Sequence, residues 1–450
     1  MPITTRFAPS PTGYFHAGSY RAALFSYIFA KQQGGTFILR IEDTDKERSK
    51  KEYEDNIIES LKWLGLSYDA MYRQSERTEL YKKYIKRLID SGHAYVSTEE
   101  PNTDEKDGGP KRRSEVIRFK NPKTKISFND LIRGPIEFDT TELGDFIIAK
   151  SFEEPVFHLV NVIDDYEMDI THVIRGEDHI SNTPRQILIY QALDAKPPQF
   201  AHLPLLLAPD RSKLSKRNGA IPISDYRTRG YLPEAIVNYL ALLGWHPDND
   251  VEIMSFDEII KNFSLDRVQK SGAIFDDTKL TWFNRQYITK LSDEDFLNRS
   301  STFLPERLSM KGELSKKLVP ILRDKVSSFE DITKLFAVHG ELAFVLSYPV
   351  YDKGQLLWKK NPDPKSAATH LEFILKTFET FDSDTFATDL IKNAVWSYAE
   401  EHGKGDVLWP MRMALTGQEK SPDPFISAYL LGIDESQKRL KLALEKLKSL

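Results

Sequence analysis

The sequence predicts an α/β protein: a doubly wound parallel sheet, interrupted by an α+β insertion and followed by an all-α C-terminal region. Three observations carry this. Short β-prone runs alternate with amphipathic helical runs over residues 3–64. A polar stretch at 98–114 and the short strand-like runs after it then break the alternation, which resumes near 157. From about 306 onward apolar residues recur almost wholly at helical spacing, as in HLEFILKTF at 370–378 and DLIKNAVWSYAEE at 389–401.

The elements follow in order. ITTRFA at 3–8 is a short strand, ended by the breaker cluster Pro9-Ser10-Pro11-Thr12-Gly13. Ala22, Phe25, Ile28 and Phe29 sit at helical spacing within 19–33, and Gly34-Gly35 stops that helix. TFILRIED at 36–43 is a second strand, and 50–64 a second helix through Ile57, Ile58, Leu61 and Leu64. Strand–helix–strand–helix of this length argues for parallel pairing. Residues 72–156 read as the insertion, with TEEPNTDEKDGGPKRRS at 98–114 as a mobile loop. Alternation resumes with the strand-like runs FHLVNVI at 157–163 and ITHVIR at 170–175, a helix at 181–193, and LPLLLA at 203–208 as a buried strand.

Composition bounds the function. Of 450 residues, 40% are hydrophobic and 29% charged, which is enough apolar surface for folded cores and about three domains at roughly 150 residues each. The absence of cysteine excludes disulfides, thiolate zinc sites, iron–sulfur clusters and cysteine nucleophiles. Ten histidines lie scattered without metal-ligand spacing, so no protein-held metal is expected. No apolar run approaches the ~18 residues of a membrane span, and residues 1–30 hold no leader pattern, so a cytoplasmic location is expected. A net charge of −5 gives no global reason to expect nucleic acid. The local exception is 111–133, with eight Lys/Arg against Glu115 and Asp130; on charge alone a solvated sheet face is the ordinary reading.

Two constellations carry chemistry. After the first strand, Tyr14-Phe15-His16-Ala17-Gly18-Ser19 leads into a helix at what would be the carboxyl edge of a parallel sheet. Unpaired N–H groups and the helix dipole suit an anion there, Gly18 permits close approach, and His16 can donate to a phosphate. A capping or surface histidine is the competing reading. Much later, Arg211, Lys213, Lys216 and Arg217 surround Ser215 in a turn after LPLLLA. Lysines there suit a polyphosphate as flexible point charges, against the plainer reading of an exposed basic turn.

Together, His16-Ala17-Gly18-Ser19 and Lys213-Leu214-Ser215-Lys216-Arg217 resemble the HIGH and KMSKS signatures of class I aminoacyl-tRNA synthetases. RFAPSPTGYFHAG at 6–18, GGTFILRIEDTD at 34–45, ITHVIRGEDHISNTPRQ at 170–186, SGAIFDDTKLTWFN at 271–284 and LWPMRMALTG at 408–417 narrow the resemblance to bacterial glutamyl-tRNA synthetases. It covers nearly the whole chain and is weakest in 96–150 and 306–400.

The resemblance implies activation of glutamate by ATP, then transfer to the terminal adenosine of tRNA-Glu, with tRNA-Gln left open. It implies a Rossmann-like catalytic domain (1–71 and 157–225), an inserted acceptor-end domain (72–156), a stem-contact domain (226–305) and a helical anticodon-binding domain (306–450). His16, Lys213 and Lys216 would be catalytic. His16, Gly18, Asp178, Leu206, Lys213, Ser215 and Lys216 would hold ATP, with Mg2+ arriving on the nucleotide. Arg6, Phe7, Ala8, Ser10, Glu42, Phe157, Asn161 and Arg175 would hold glutamate: the arginines its side-chain carboxylate, and Glu42 its ammonium with Ser10 helping. A structural ion pair from Arg6 to Glu42 or Asp43 competes with that role.

Two positions depart from the family pattern. Phe157 stands where the family carries a tyrosine, and HAYVSTEE at 93–100 lacks the cysteines of relatives with a zinc site. A monomer is expected. Trp358, Lys359, Lys360 and Arg412 are candidates for the anticodon, with packing favoured for Trp358. The alternatives are a glutaminyl-tRNA synthetase, whose β-barrel anticodon region the helical pattern disfavours, and a catalytically silent tRNA-binding relative.

Overall fold

The computed structural model describes residues 2–99, 114–214, 221–308 and 312–448, in two compact units, Met1–Tyr287 and Ile288–Leu450. The first unit opens with β1 (Thr4–Phe7), α1 (Ala17–Gln32), β2 (Thr36–Ile41), α2 (Lys51–Trp63), β3 (Ala70–Arg73) and α3 (Thr78–Asp90). Strands β4 (Ala94–Glu99), β5 (Ser114–Phe119), β6 (Lys125–Asp130), β7 (Gly134–Asp139), β8 (Phe146–Ser151) and β9 (Glu154–Pro155) follow. Next come α4 (Phe157–Glu167), β10 (His172–Gly176), α5 (Thr183–Ala192), β11 (Gln199–Leu203) and β12 (Leu206–Leu207). The unit ends with α6 (Ile223–Thr228), α7 (Pro233–Leu242), α8 (Phe256–Asn262), β13 (Ala273–Ile274) and the start of α9 (Asp277–Thr289).

Seven strands form one sheet in the order β3-β2-β1-β10-β11-β6-β7, parallel throughout except for β7. The chain winds outward in opposite directions from β1 and β10, so the crevice at their carboxyl ends is the topological switch point, where ligands bind in such sheets. Alternate residues feed two cores. Phe37, Leu39, Ile174 and Ala201 join α1, α7 and α8 on one face. Ile38, Val173 and Phe200 join α3, α4 and α5 on the other. The turn into β2 needs glycine at 35, because a Cβ there would lie 2.2 Å from the Ile3 carbonyl that receives the Thr36 amide.

Three details depart from the sequence-based expectation. FHLVNVI lies in helix α4, not a strand; a short apolar run buried on most sides does not distinguish the two. LPLLLA is not one strand of the main sheet. That sheet's strand is Gln199–Leu203; Pro204 follows it, and Leu206–Leu207 pairs instead with Ala273–Ile274. Finally, hairpin β6–β7, inside the 72–156 segment, extends the main sheet through β11, while β4, β5, β8 and β9 form a separate antiparallel sheet.

The second unit is helical: α10 (Asp293–Ser300), α11 (Glu313–Lys325), α12 (Glu330–Phe336), α13 (Pro364–Phe378), α14 (Thr388–His402), α15 (Lys404–Thr416), α16 (Pro424–Leu431) and α17 (Ile433–Lys448). Its core gathers Leu371, Ile374, Val395, Met411, Phe425, Leu440 and Leu444. Among the described residues no helix is long and apolar enough to cross a membrane.

Candidate active site

Parallel strands buried on both faces should read as unbroken apolar runs. Four interruptions stand out: Arg6, Arg40, Arg175 and His202 are each the penultimate residue of β1, β2, β10 and β11. All four are buried, so their polar atoms must be satisfied locally. They gather at the carboxyl edge of the sheet beside a cavity of about 780 Å³, large enough for a nucleotide with a small acid. Arg6, Phe7, Ala8, Ser10, His16, Gly18, Glu42, Phe157, Asn161, Arg175, Asp178, Leu206 and Lys213 all line it. Ser215 and Lys216 lie outside the described residues.

One side of the cavity is suited to anions. His16 caps α1, its Nδ1 accepting the Ser19 amide at 3.4 Å, and the first turn of that helix carries no acidic residue. Gly18 follows with a helical backbone, and a Cβ there would lie 3.4 Å from the His16 ring. Backbone pairing of His16 with Pro222, and the Ile223 amide on the Phe15 carbonyl at 2.9 Å, bring the chain after residue 220 to the same helix start. Lys213 Nζ sits 3.0 Å from Asp178 Oδ2. Burial opposes ionisation of Asp178, but the bond to Lys213, the His179 ring and the Lys213 charge together outweigh it and hold the carboxyl below its ordinary range. Leu206 is buried, and its carbonyl accepts the Leu214 amide at 2.9 Å. Arg21, one turn into α1, donates to the carbonyls of Leu243 (3.0 Å) and Pro204, clamping this wall.

The other side is a lattice of buried charge. Asp165 Oδ1 accepts Arg6 Nε at 3.1 Å and Arg40 Nη1 at 2.6 Å. The alternative partners expected for Arg6 are otherwise engaged: Asp43 accepts the Ser75 amide and hydroxyl, and Glu42 accepts Arg40 Nη2 (3.2 Å) and Asn161 Nδ2 (2.9 Å) on one oxygen, Oε1. Burial alone would favour neutral Arg40, yet Asp165, Glu42 and Asp164 outweigh it and hold the cation firmly charged. Burial raises the Glu42 carboxyl, with Arg40 and Arg6 opposing. Arg6 and Glu42 both line the cavity, and the hydrogen bonds described engage only Nε of Arg6 and Oε1 of Glu42, which leaves the Nη atoms and Oε2 for a ligand.

Arg175 differs from Arg40. Its Nε donates to His202 Nε2 at 3.2 Å, and its Nη2 to Thr183 Oγ1 and Gln186 Oε1, both at 2.8 Å. None of these is a carboxylate. Burial, then repulsion from Arg6, pulls its pKa down to about 9. Gln186 also donates to Asn161 at 3.1 Å, so Arg175, Gln186, Asn161 and Glu42 form one chain of hydrogen bonds along the wall. Phe157 begins α4 and lies against the His179 ring with centroids 5.7 Å apart. A cavity lined by Arg6, Arg175 and Glu42 on one side and by the start of α1, Asp178 and Lys213 on the other can bind an amino diacid beside a polyphosphate.

Sequence reasoning missed Arg40, Asp165, Gln186, His202 and Asp130, which hold the lining residues in place. The one available signal was polarity inside otherwise apolar strands. Other candidates are held internally. Of the described part of the basic run, Arg118 donates to the Asp145 carbonyl, Lys125 pairs with Glu137 and Arg133 with Glu177, while Asp130 is buried. Trp358 packs on Trp409 at 5.4 Å and fills the space over Gly405, and Arg412 donates to the carbonyls of Ser421 and Pro422. Lys359 lies 3.9 Å from Glu419. Among the described residues no group of three His, Cys, Asp or Glu is placed to hold a metal ion.

Comparison with known proteins identifies the family. The family described as tRNA synthetases class I (E and Q), catalytic domain, matches residues 2–107 and 98–282, and the anticodon binding domain family matches 285–444. The glutamate–tRNA ligase of Sulfurihydrogenibium sp. (strain YO3AOP1) is 41% identical, over 98% of each chain. That of Aquifex aeolicus is 40% identical over 99% of each. Among solved structures, a glutamate tRNA ligase from Elizabethkingia meningosepticum in complex with its amino acid superposes with a TM-score of 0.87 at 32% identity, covering 99% of this chain and 100% of the other.

Proposed function

The chain belongs to the class I tRNA synthetases of the glutamate and glutamine type, and from that membership we infer that it is a glutamate–tRNA ligase, with ATP as its second substrate. The observation that carries the choice of glutamate is the pair of guanidinium groups, Arg6 and Arg175, lining the cavity beside Glu42. A guanidinium pairs with a carboxylate by two parallel charge-assisted bonds. Glutamine would present a neutral amide to the same fork, so binding alone can separate the two.

In the proposed reaction the α-carboxylate of glutamate attacks the α-phosphorus of ATP, and pyrophosphate leaves. The acyl group then passes to a ribose hydroxyl of the terminal adenosine of tRNA-Glu, releasing AMP. Arg6 and Arg175 take the side-chain carboxylate, and Glu42, steadied by Asn161, takes the ammonium with Ser10 helping. Phe7, Ala8 and Phe157 enclose the substrate chain. His16 and Gly18 receive the phosphates at the helix start. The backbone of Leu206, whose carbonyl accepts one amide and keeps a second lone pair, takes the adenine. Lys213 exchanges Asp178 for phosphate, and Lys216, with Ser215, neutralises charge developing on the α-phosphate and departing pyrophosphate. Positioning and electrostatics suffice for transfer at phosphorus. ATP arrives as its Mg2+ complex, with no protein ligand assigned to the ion.

The same reading gives segment 72–156 to the acceptor end, 226–305 to the stem and 306–450 to the anticodon, in a cytoplasmic monomer. The helical second unit favours this over a glutaminyl-tRNA synthetase, and the presence of His16, Gly18 and Lys216 over a silent relative. Aminoacylation of purified tRNA-Glu and tRNA-Gln, each with glutamate and with glutamine, tests the reading. Glutamate transfer to tRNA-Glu is expected; preference for glutamine, or no tRNA-dependent product, would overturn it.

A further inference from the structure

We propose that Asp130 and His202 are positioning residues for Arg175: a buried carboxylate–imidazole pair, reaching in from the tip of hairpin β6–β7, that fixes the guanidinium facing the cavity. The inference rests on the reading of Arg175 as a cation for the substrate carboxylate.

The hydrogen bonds set the direction of the relay. Arg175 Nε–H can only donate, so His202 Nε2, 3.2 Å away, must present its lone pair. The ring proton therefore sits on Nδ1 and is donated to Asp130 Oδ2 at 2.6 Å. His202 and Asp130 are both fully buried, and burial chiefly keeps the imidazole neutral although Asp130 opposes it. Asp130 cannot rotate without breaking other bonds. Its Oδ1 accepts the Ile132 and Arg133 amides at 3.0 and 2.9 Å, and its Oδ2 also accepts the His202 amide at 3.1 Å. The hairpin tip is itself tied down, with the Leu131 amide on the Phe200 carbonyl and Arg133 on both Glu177 and the Lys270 carbonyl.

The interposed imidazole has a physical purpose. Of the two guanidinium groups assigned to the substrate carboxylate, Arg6 already shares Asp165 with Arg40, and a carboxylate placed directly on Arg175 as well would offset the remaining positive charge. A neutral imidazole orients the guanidinium through one directional bond and leaves its charge for a ligand. The fixed tautomer makes the device specific, because the alternative would set two N–H groups against each other.

The test is Asp130→Asn, which keeps an acceptor for the Ile132 and Arg133 amides but can turn an NH2 group toward His202 Nδ1. In tRNA-dependent pyrophosphate exchange, the KM for glutamate should rise roughly tenfold or more while that for ATP stays within about twofold. Histidine ¹⁵N spectra should show the Nδ1–H tautomer of His202 in the wild type and its loss in the variant. Equal effects on both substrates would reduce Asp130 to a fold residue and overturn the proposal. So would an unchanged glutamate KM in D130N while Arg175→Ala raises it. If D130N does not fold, the wild-type spectrum decides alone, since an Nε2–H tautomer is incompatible with the relay. A glutamate KM unmoved by Arg175→Ala would instead sink the reading of the pocket, and the proposal with it.

Discussion

Replacing Arg175 by methionine should weaken glutamate binding without weakening the fold. The side chain is 6% exposed and its donors meet only neutral groups. Burial, with Arg6 second, brings its pKa well below the ordinary guanidinium value, to about 9. A cation whose folded value lies below its unfolded one opposes folding in full below about 9, and that opposition fades as pH rises above it toward the unfolded value. This amounts to roughly 5 kcal/mol against the folded state near neutral pH. The three donor bonds offset it by about 1 kcal/mol each. Methionine nearly matches the volume, so Arg175→Met should leave the protein as stable as before or up to ~2 kcal/mol more stable. Glutamate affinity should meanwhile fall about a hundredfold, or ~3 kcal/mol, for a lost charge-assisted pair. Urea unfolding near neutral pH without substrates, paired with calorimetric titration of glutamate, reads both quantities. A stability loss beyond ~2 kcal/mol would show that Arg175 serves the fold and refute the argument.

Three further outcomes are expected. Lys216→Ala should lower kcat by the equivalent of roughly 2–4 kcal/mol with tRNA affinity unchanged, and near-normal turnover would remove Lys216 from the mechanism. Phe157→Tyr should lower the KM for glutamate several-fold, by about 1 kcal/mol for one regained hydrogen bond, at constant kcat; a higher KM would show that the hydroxyl is excluded. Burial chiefly holds His158 and His179 at about 4 instead of 6.5, so both enter the folded state neutral. Stability should therefore be full above pH 6.5 and decline as pH falls toward 4. His158→Phe should flatten that decline in acid unfolding curves, and an unaltered slope would contradict the assignment.

Much of the site could be read from the chain because its parts are local. Pro9 to Gly13 breaks a strand, and His16 and Gly18 open the helix that follows, so one short stretch marks a candidate anion site without knowledge of distant partners. Arg6 and Glu42 each stand at a strand end recognisable from β-prone neighbours. The supporting lattice was not legible in this way. Arg40 meets Asp165, and Asp130 meets His202, only after the sheet order is known, and nothing in the local spacing of either residue names its partner. The misreading of FHLVNVI has the same root: the polar residues Asn161, Asp164 and Asp165 of its helix are buried against distant groups, so no polar face marks it. The role of hairpin β6–β7 was hidden because pairing with β11 is a long-range choice, and its alternating pattern suits an edge of either sheet.

Asp165 binds two guanidinium groups on the neighbouring strands β1 and β2, both distant from it in the chain, and its evolution is constrained accordingly. Loss of its charge would take the carboxylate from Arg6 and leave Arg40 to Glu42 and Asp164 alone, so a lineage that neutralises position 165 gains by neutralising position 40 as well. Position 40, which touches no substrate in the proposed reaction, should therefore vary as little as position 6, which does. Among diverged homologues, neutral residues at 165 should occur mainly where 40 is neutral as well.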